Sequence, residues 1–218
     1  MDNKEIKEFI KRYWDFYLAL EEDFYSTSRY VDFSEKNNKT FSNEYLRLYL
    51  SICSEIDVFG KIFAKKMNPD FAKNKDGQEV KYVTISDWGK AIQHIEIDGT
   101  NIYEQEVDFK GIGLIKPWKD LKIDNNNLTA PCWWNNYNEI KHNRTGIENG
   151  EMNYEKANFG NLCMAISGLF VLEDSYLKKY VCNEDLERIA KSKLFHKETR
   201  PSFYVENDTF VFGEKENW

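Results

Sequence analysis

The sequence has little of what interrupts a folded chain, joins it covalently or places it in a membrane. Only 4 prolines and 11 glycines occur among 218 residues, which excludes a long disordered tract rich in either. The 4 cysteines are far apart and form no C-x-x-C pair, so no zinc site is predicted. No apolar run approaches membrane-spanning length, and the N-terminal residues are too charged for a signal peptide. We therefore expect a cytoplasmic protein with no membrane partner.

The chain also lacks an excess of positive charge and a familiar cofactor motif. Its 37 acidic and 30 basic residues give a formal net charge of −7, which argues against broad coating of nucleic acid, because such coating needs a basic surface. It contains no glycine-rich phosphate loop, no H-E-x-x-H and no G-x-S-x-G, so neither a cofactor nor a metal is predicted. Of the 3 histidines, His94 and His196 are predicted to be structural or solvent-exposed, and His142 is the candidate for chemistry.

Aromatic residues are abundant and compensate for a modest apolar content. The chain has 15 Phe, 13 Tyr and 6 Trp, and each buried ring removes a large area from water. A chain of 218 residues can therefore bury a substantial core with few side chains. One domain over residues 1–218 is predicted.

Apolar residues recur at helical spacing in four stretches, which predicts a mainly α fold. Asp2 is the predicted cap of the first helix, which extends to Phe24, and Glu5 completes a capping box. Ser42 caps the second helix, which ends near Met67. The third and fourth helices are predicted over about 131–145 and 154–180.

Two small β-hairpins are predicted outside these helices. Asp98-Gly99 is a favoured hairpin turn, and it lies in an inserted segment of about residues 83–118. Asn207-Asp208 lies between two aromatic segments, which predicts a closing C-terminal hairpin over residues 200–214. The polar stretches 124–127 and 146–153 are predicted to be loops.

The third helix carries the candidate functional residues. At about 100° per residue, Asn138 and His142 lie one turn apart on a polar side, where both can touch a common ligand. Arg144 lies almost opposite His142, at the end of the apolar face, and Lys141 lies between the two faces. The apolar face of this helix includes Trp133, Tyr137 and Ile140.

This helix and its surroundings resemble the HEPN superfamily. The resemblance rests on Trp134-x-x-Tyr137-Asn-x-x-Lys-His142-x-Arg144, on the later helix with Asn161 and Leu169-Phe-Val-Leu172, and on the helix that begins at Ser42. It covers about half of the chain and implies a HEPN-like helical bundle with small β-hairpin insertions. Many members are metal-independent ribonucleases of toxin–antitoxin, CRISPR and phage-defence systems, and they usually pair as homodimers. Gly160 and Gly168, which predict a closely packed neighbouring backbone, add weak support for pairing.

The resemblance implies a role for each candidate residue. His142 would act as acid or base on the ribose hydroxyl or the leaving oxygen, and Asn138 would hold phosphate or sugar. Arg144 or Lys141 would supply the cation that steadies the phosphoryl group. The family motif has arginine directly before the polar residue, but this sequence has Tyr137, which is neutral at physiological pH and cannot replace a fixed cation.

Three functional readings follow. The first is a HEPN-like module without catalysis, which binds nucleotides or proteins in a defence or toxin–antitoxin setting. The alternative is a metal-independent endoribonuclease that uses His142. The third is an unrelated helical protein in which Trp133, Trp134 and Tyr137 are simply core. The partners considered are a second copy of the chain, RNA or a nucleotide, and another protein.

Overall fold

The structure, a computed structural model, describes residues 1–125, 127–148, 150–195, 202–206 and 209–213. Within these ranges the fold is mainly α, as predicted, and the strands form only two-stranded antiparallel sheets. The helices are α1 (Asn3–Phe9), α2 (Asp15–Ser26), α3 (Asn43–Met67), α4 (Ile85–Ile92), α5 (Cys132–Asn143), α6 (Phe159–Tyr180) and α7 (Asn183–Leu186). The strands are β1 (Glu96–Ile97), β2 (Thr100–Asn101), β3 (Val107–Phe109), β4 (Gly113–Ile115), β5 (Lys122–Asp124), β6 (Asn127–Thr129), β7 (Ile147–Glu148), β8 (Glu151–Met152), β9 (Ser202–Glu206) and β10 (Thr209–Gly213). In this described part of the chain, no helix combines the length and the apolar character that crossing a bilayer requires.

The N-terminal helix begins as predicted and is then interrupted. The Asp2 carboxylate accepts the Glu5 backbone N–H at 2.8 Å, and the Glu5 carboxylate accepts the Asp2 backbone N–H at 3.2 Å, which confirms the capping box. Between α1 and α2 the chain makes one π-helical turn, Ile10–Trp14. This wider turn buries both Phe9 and Trp14, although an uninterrupted α-helix would turn them to different sides.

Helices α3 and α6 are the central pair of the bundle. Both begin at a side-chain cap, because Ser42 accepts the Tyr45 N–H at 3.1 Å and Asn158 accepts the Asn161 N–H at 3.0 Å. The prediction for α3 is confirmed, including its end near Met67. Helix α6 begins later than predicted, since residues 153–156 form a 3-10 turn before it. The two helices pack along each other, and their apolar faces contribute to one continuous core.

The hairpins differ from the sequence prediction in number and extent. The Asp98-Gly99 turn is confirmed, with positive φ angles of 53° and 75° and with Ile97 paired to Thr100. The hairpin around this turn has two residues in each strand, and the same inserted segment contains a further hairpin, in which β3 pairs with β4. The stretches predicted as loops contain the short hairpins β5–β6 and β7–β8. The C-terminal hairpin is confirmed as β9 paired with β10, whereas residues 200, 201, 207, 208 and 214 of that prediction lie outside the described residues.

Two glycines of α6 are packed by other parts of the same chain. A Cβ added to Gly160 would lie 3.2 Å from the backbone oxygen of Asn38, and one added to Gly168 would lie 3.2–3.3 Å from the rings of Trp118 and Trp133. The close backbone neighbour predicted for Gly160 is therefore present, while the neighbours of Gly168 are indole rings. Because both positions are covered within one chain, they give no support to dimerisation.

Candidate functional site

Helix α5 is held in one orientation by its aromatic face. Its buried side chains are Trp133, Trp134, Tyr137 and Ile140. The Trp133 indole N–H donates to the Pro117 carbonyl at 2.8 Å, and the hydroxyl of Tyr49 in α3 donates to the Trp133 carbonyl. Both bonds resist rotation of α5 about its axis, so they determine which of its side chains face solvent.

Asn138 and His142 lie on the outward side of α5. The His142 side chain is exposed and Asn138 is half-buried, with the two positions one turn apart. Within the described ranges, neither side chain has a hydrogen bond or ion pair. The His142 ring is therefore accessible to a ligand or to a second chain.

The two candidate cations are directed away from His142. Arg144 continues the helix with φ −54° and ψ −36°, which places it about 200° around the axis from His142. The Lys141 ammonium lies over the Tyr137 ring, 5.4 Å from its centroid, in a cation–π contact. The structure thus brings Asn138 and His142 together but joins neither Lys141 nor Arg144 to them.

Tyr137, at the position where the HEPN motif has arginine, belongs to the packed interface between α5 and α3. Its ring is buried and lies 6.4 Å from that of Tyr49 and 5.2 Å from that of Trp134. Burial raises the pKa of the Tyr137 hydroxyl to about 12, so the group is neutral at physiological pH. It supplies no positive charge to the polar side of α5.

The hairpin β7–β8 is anchored at the end of α5, beside His142. The Tyr154 N–H donates to the Arg144 carbonyl at 3.0 Å, and the Asn153 amide donates to the Asn143 carbonyl at 2.9 Å. These bonds satisfy carbonyl groups that a helix end leaves open. The side chains of the cross-strand pair, Ile147 and Met152, are 72% and 45% exposed, so an apolar patch adjoins the basic end of the helix.

No family model, characterised protein or solved structure matches this chain. The likeness to HEPN domains therefore rests on the residues of α3, α5 and α6 alone. The chemical roles of Asn138, Lys141, His142 and Arg144 stay predictions.

A buried carboxylate, Glu21 of α2, organises the segment after α7. It accepts the Tyr17 hydroxyl at 2.6 Å, the backbone N–H groups of Lys193 and Leu194 at 2.7 and 3.2 Å, and the hydroxyl of Ser192. The side chain is 1% exposed, and its satisfied oxygens explain how it tolerates burial. Glu21 thus fixes the path of residues 192–194 against the helical bundle.

A second buried carboxylate, Glu173 of α6, has no such partners. It is fully buried, and in the described part of the chain both of its oxygens lack a hydrogen bond. Burial, and then the neighbouring carboxylate of Glu55 in α3, raise the pKa of Glu173 well above its ordinary value of 4.5. The side chain is therefore held as a neutral acid in the core.

Neither buried acid was predicted from the sequence, although a signal was present. Glu21 follows Tyr17 and Leu20 on the buried stripe of α2, and Glu173 lies between Leu169 and Tyr176 on that of α6. An acid on the apolar stripe of a helix becomes buried when that stripe packs against the core. Among the residues that the structure describes, no three metal-binding side chains cluster. His94 is exposed, and His196 lies outside the described residues.

Proposed function

We propose that this chain is a HEPN-like module that acts by binding a protein partner and does not itself cleave RNA. The observation that carries the proposal is the separation of charges around α5. His142 faces solvent, Arg144 points to the opposite side, and Lys141 covers the Tyr137 ring. Phosphoryl transfer needs an acid or base and a cation aimed at one phosphate group, and the candidate residues of α5 in one chain are not arranged in that way.

The proposed binding surface, here termed the α5-end surface, wraps around the end of α5 and the next hairpin and consists of Lys141, His142, Arg144, Ile147 and Met152. Arg144 lies on the other side of the helix from His142. All five side chains are exposed. An exposed apolar pair bordered by polar and charged groups is the usual composition of a protein interface. The partner we propose is a second copy of the chain, because in a symmetric pair the exposed Ile147 and Met152 of one copy can bury against the same pair of the other. Modules of this family occur in defence and toxin–antitoxin systems, which is the setting we propose.

One observation favours a second candidate, a metal-independent endoribonuclease. His142 and Arg144 are both exposed at the end of the same helix, so Arg144 of the partner subunit can approach His142 in a symmetric pair. A composite site of that kind would restore the missing cation. The two candidates share the dimer and differ in RNA cleavage, so they are separated by experiment.

Sedimentation velocity tests the interface. We expect the wild type to be a dimer at micromolar concentration. The double variant Ile147→Glu, Met152→Glu should dissociate it. We expect the dimer Kd to rise about 100-fold or more, because burial in the interface would strip the two new carboxylates of their hydration. The matched control is Leu114→Glu, since Leu114 is 70% exposed in another hairpin. It should leave the dimer intact. A wild type that is monomeric contradicts the proposed surface. So does an equal loss of dimer in the double variant and in the Leu114→Glu control.

RNA cleavage tests the absence of catalysis. The purified protein, incubated with single-stranded RNA in excess chelator, is expected to leave the RNA intact at every protein concentration. Cleavage that His142→Ala abolishes and His94→Ala preserves would overturn the non-catalytic proposal in favour of the endoribonuclease. Both histidines are exposed, so each variant should change the free energy of unfolding by less than about 0.5 kcal/mol.

A further inference from the structure

A cavity of about 620 Å³ lies on the side of α6 that faces the inserted hairpins. It has three walls: Trp14, Phe170 and Val171 from the helices, the strand residues around Glu106, and the segment that ends at Phe195. This volume is within the range of small-molecule sites, about 300–1,000 Å³. The α5-end surface contributes none of the residues that line it, so the cavity is a separate feature.

The walls of the cavity are fixed before any ligand arrives. The Trp14 indole N–H donates to the Ala190 carbonyl at 2.8 Å, and Glu21 holds Ser192 and the residues after it. The ring centroids of Phe170 and Phe195 are 4.5 Å apart. Because the wall-forming segment is bound to the bundle by its own hydrogen bonds, little ordering is left to the ligand.

Acidic residues outnumber basic ones among the charged residues of the cavity. Its lining includes the carboxylates Asp98, Glu106, Asp108 and Asp174 against the amines Lys178 and Lys191. Both amines are engaged, since Lys178 pairs with Asp174 and Lys191 donates to the Leu186 carbonyl at 3.1 Å. Asp98 and Asp108 also have interactions. In the described part of the chain, Glu106 has no ion pair or hydrogen-bond partner for its exposed side chain, which leaves it as the carboxylate available to a ligand.

We propose that this cavity binds a small organic cation, a molecule with an apolar or aromatic body and an amine. Aromatic rings favour a flat apolar body and also attract a cation through their faces. The ammonium group pairs with Glu106 at the rim. A nucleotide does not fit this chemistry, because its phosphates would approach a lining in which four carboxylates outnumber two amines.

Melting temperature measured with three probes tests the ligand class. Tryptamine, an aromatic amine, is expected to raise the melting temperature in a saturable way at millimolar concentration, as for a fragment-sized ligand. Indole-3-acetate has the same ring with an anionic chain and should give no saturable shift, and neither should ATP. The variant Glu106→Lys should reduce the affinity for tryptamine about fivefold, which is the contribution expected of one exposed ion pair.

The matched control for that variant is Glu104→Lys. Glu104 is two residues away and exposed, but it does not line the cavity. It should leave tryptamine affinity unchanged. The proposal is overturned if tryptamine gives no saturable shift in melting temperature, or if indole-3-acetate or ATP gives a shift at least as large. It is also overturned if the two lysine variants reduce the affinity for tryptamine equally.

Discussion

The variant Glu173→Met is expected to be more stable than the wild type by about 2–4 kcal/mol at pH 8. Both Glu173 oxygens are buried without a hydrogen bond, and a buried unsatisfied polar group costs about 1–3 kcal/mol. Methionine has a similar length, suits a helix and needs no partner. Urea denaturation of the two proteins measures the difference.

The gain should shrink as the pH falls, and this dependence identifies its cause. The pKa of Glu173 in the folded chain is raised well above 4.5. Below pH 4.5 the group is protonated in both the folded and the unfolded chain, so it causes no pH-dependent loss of stability. As the pH rises toward the folded pKa, only the unfolded chain ionises, and the wild type is destabilised progressively. Glu55 faces it from α3, and Tyr13 and Tyr17 face it from the N-terminal helices. Burial raises the pKa of Glu55 too, but Glu55 is present in both proteins, so its own pH dependence cancels in their difference.

Two variants control this experiment. Glu173→Gln removes the ionisation but keeps polar atoms in the core, so it should flatten the pH dependence and give less stability than Glu173→Met. The exposed acid Glu8 provides the surface control, since Glu8→Gln should change little at any pH. A Glu173→Met protein that is destabilised by the same amount at pH 4 and pH 8 would mean that the carboxyl group has a partner.

The variant Glu21→Ala should have the opposite effect and lose about 3–4 kcal/mol. The change leaves the N–H groups of Lys193 and Leu194 and the hydroxyl of Ser192 without their acceptor, and each buried unsatisfied group costs about 1–3 kcal/mol. Thermal or urea unfolding measures the loss. Hydrogen exchange should also increase at residues 192–194, because Glu21 fixes that segment.

The adjacent residue offers a matched control. Glu22 pairs with Lys193 on the surface, where both side chains are more than half exposed. Its replacement by alanine should therefore cost no more than about 1 kcal/mol. If Glu21→Ala and Glu22→Ala lost similar amounts of stability, the segment would be held by negative charge in this region and not by the buried carboxylate of Glu21.

The longest helices could be predicted from sequence because local signals agreed with burial. The capping box at Asp2 and the cap at Ser42 set where α1 and α3 begin, and apolar spacing then identified the buried faces. The hairpins β5–β6 and β7–β8 could not be found in this way. Each has strands of two or three residues, which are too short for an alternating apolar pattern to be recognised, so turn geometry and hydrogen bonds to neighbouring elements determine them.

Only the part of the candidate site that lies within one helix could be predicted from the sequence. Helical periodicity placed Asn138 and His142 together and turned Arg144 away, because these positions share α5. The cation–π contact of Lys141 with Tyr137 depends on a rotamer, and the cavity beside Glu106 depends on three separate segments meeting. Spacing within α5 brings Lys141 within reach of Tyr137 but does not select the rotamer, and no one of the three segments encodes their meeting, so neither relation could be predicted from the sequence.

The π-helical turn at Ile10–Trp14 has a consequence for any comparison with relatives. Such a turn accommodates one residue more than an α-helical turn does, so relatives with a straight first helix will be one residue shorter at this point. Their alignment to this chain requires a gap inside a helix, where gaps are normally penalised. Without it, residues up to Phe9 would be matched one position out of phase, and buried positions would be compared with exposed ones.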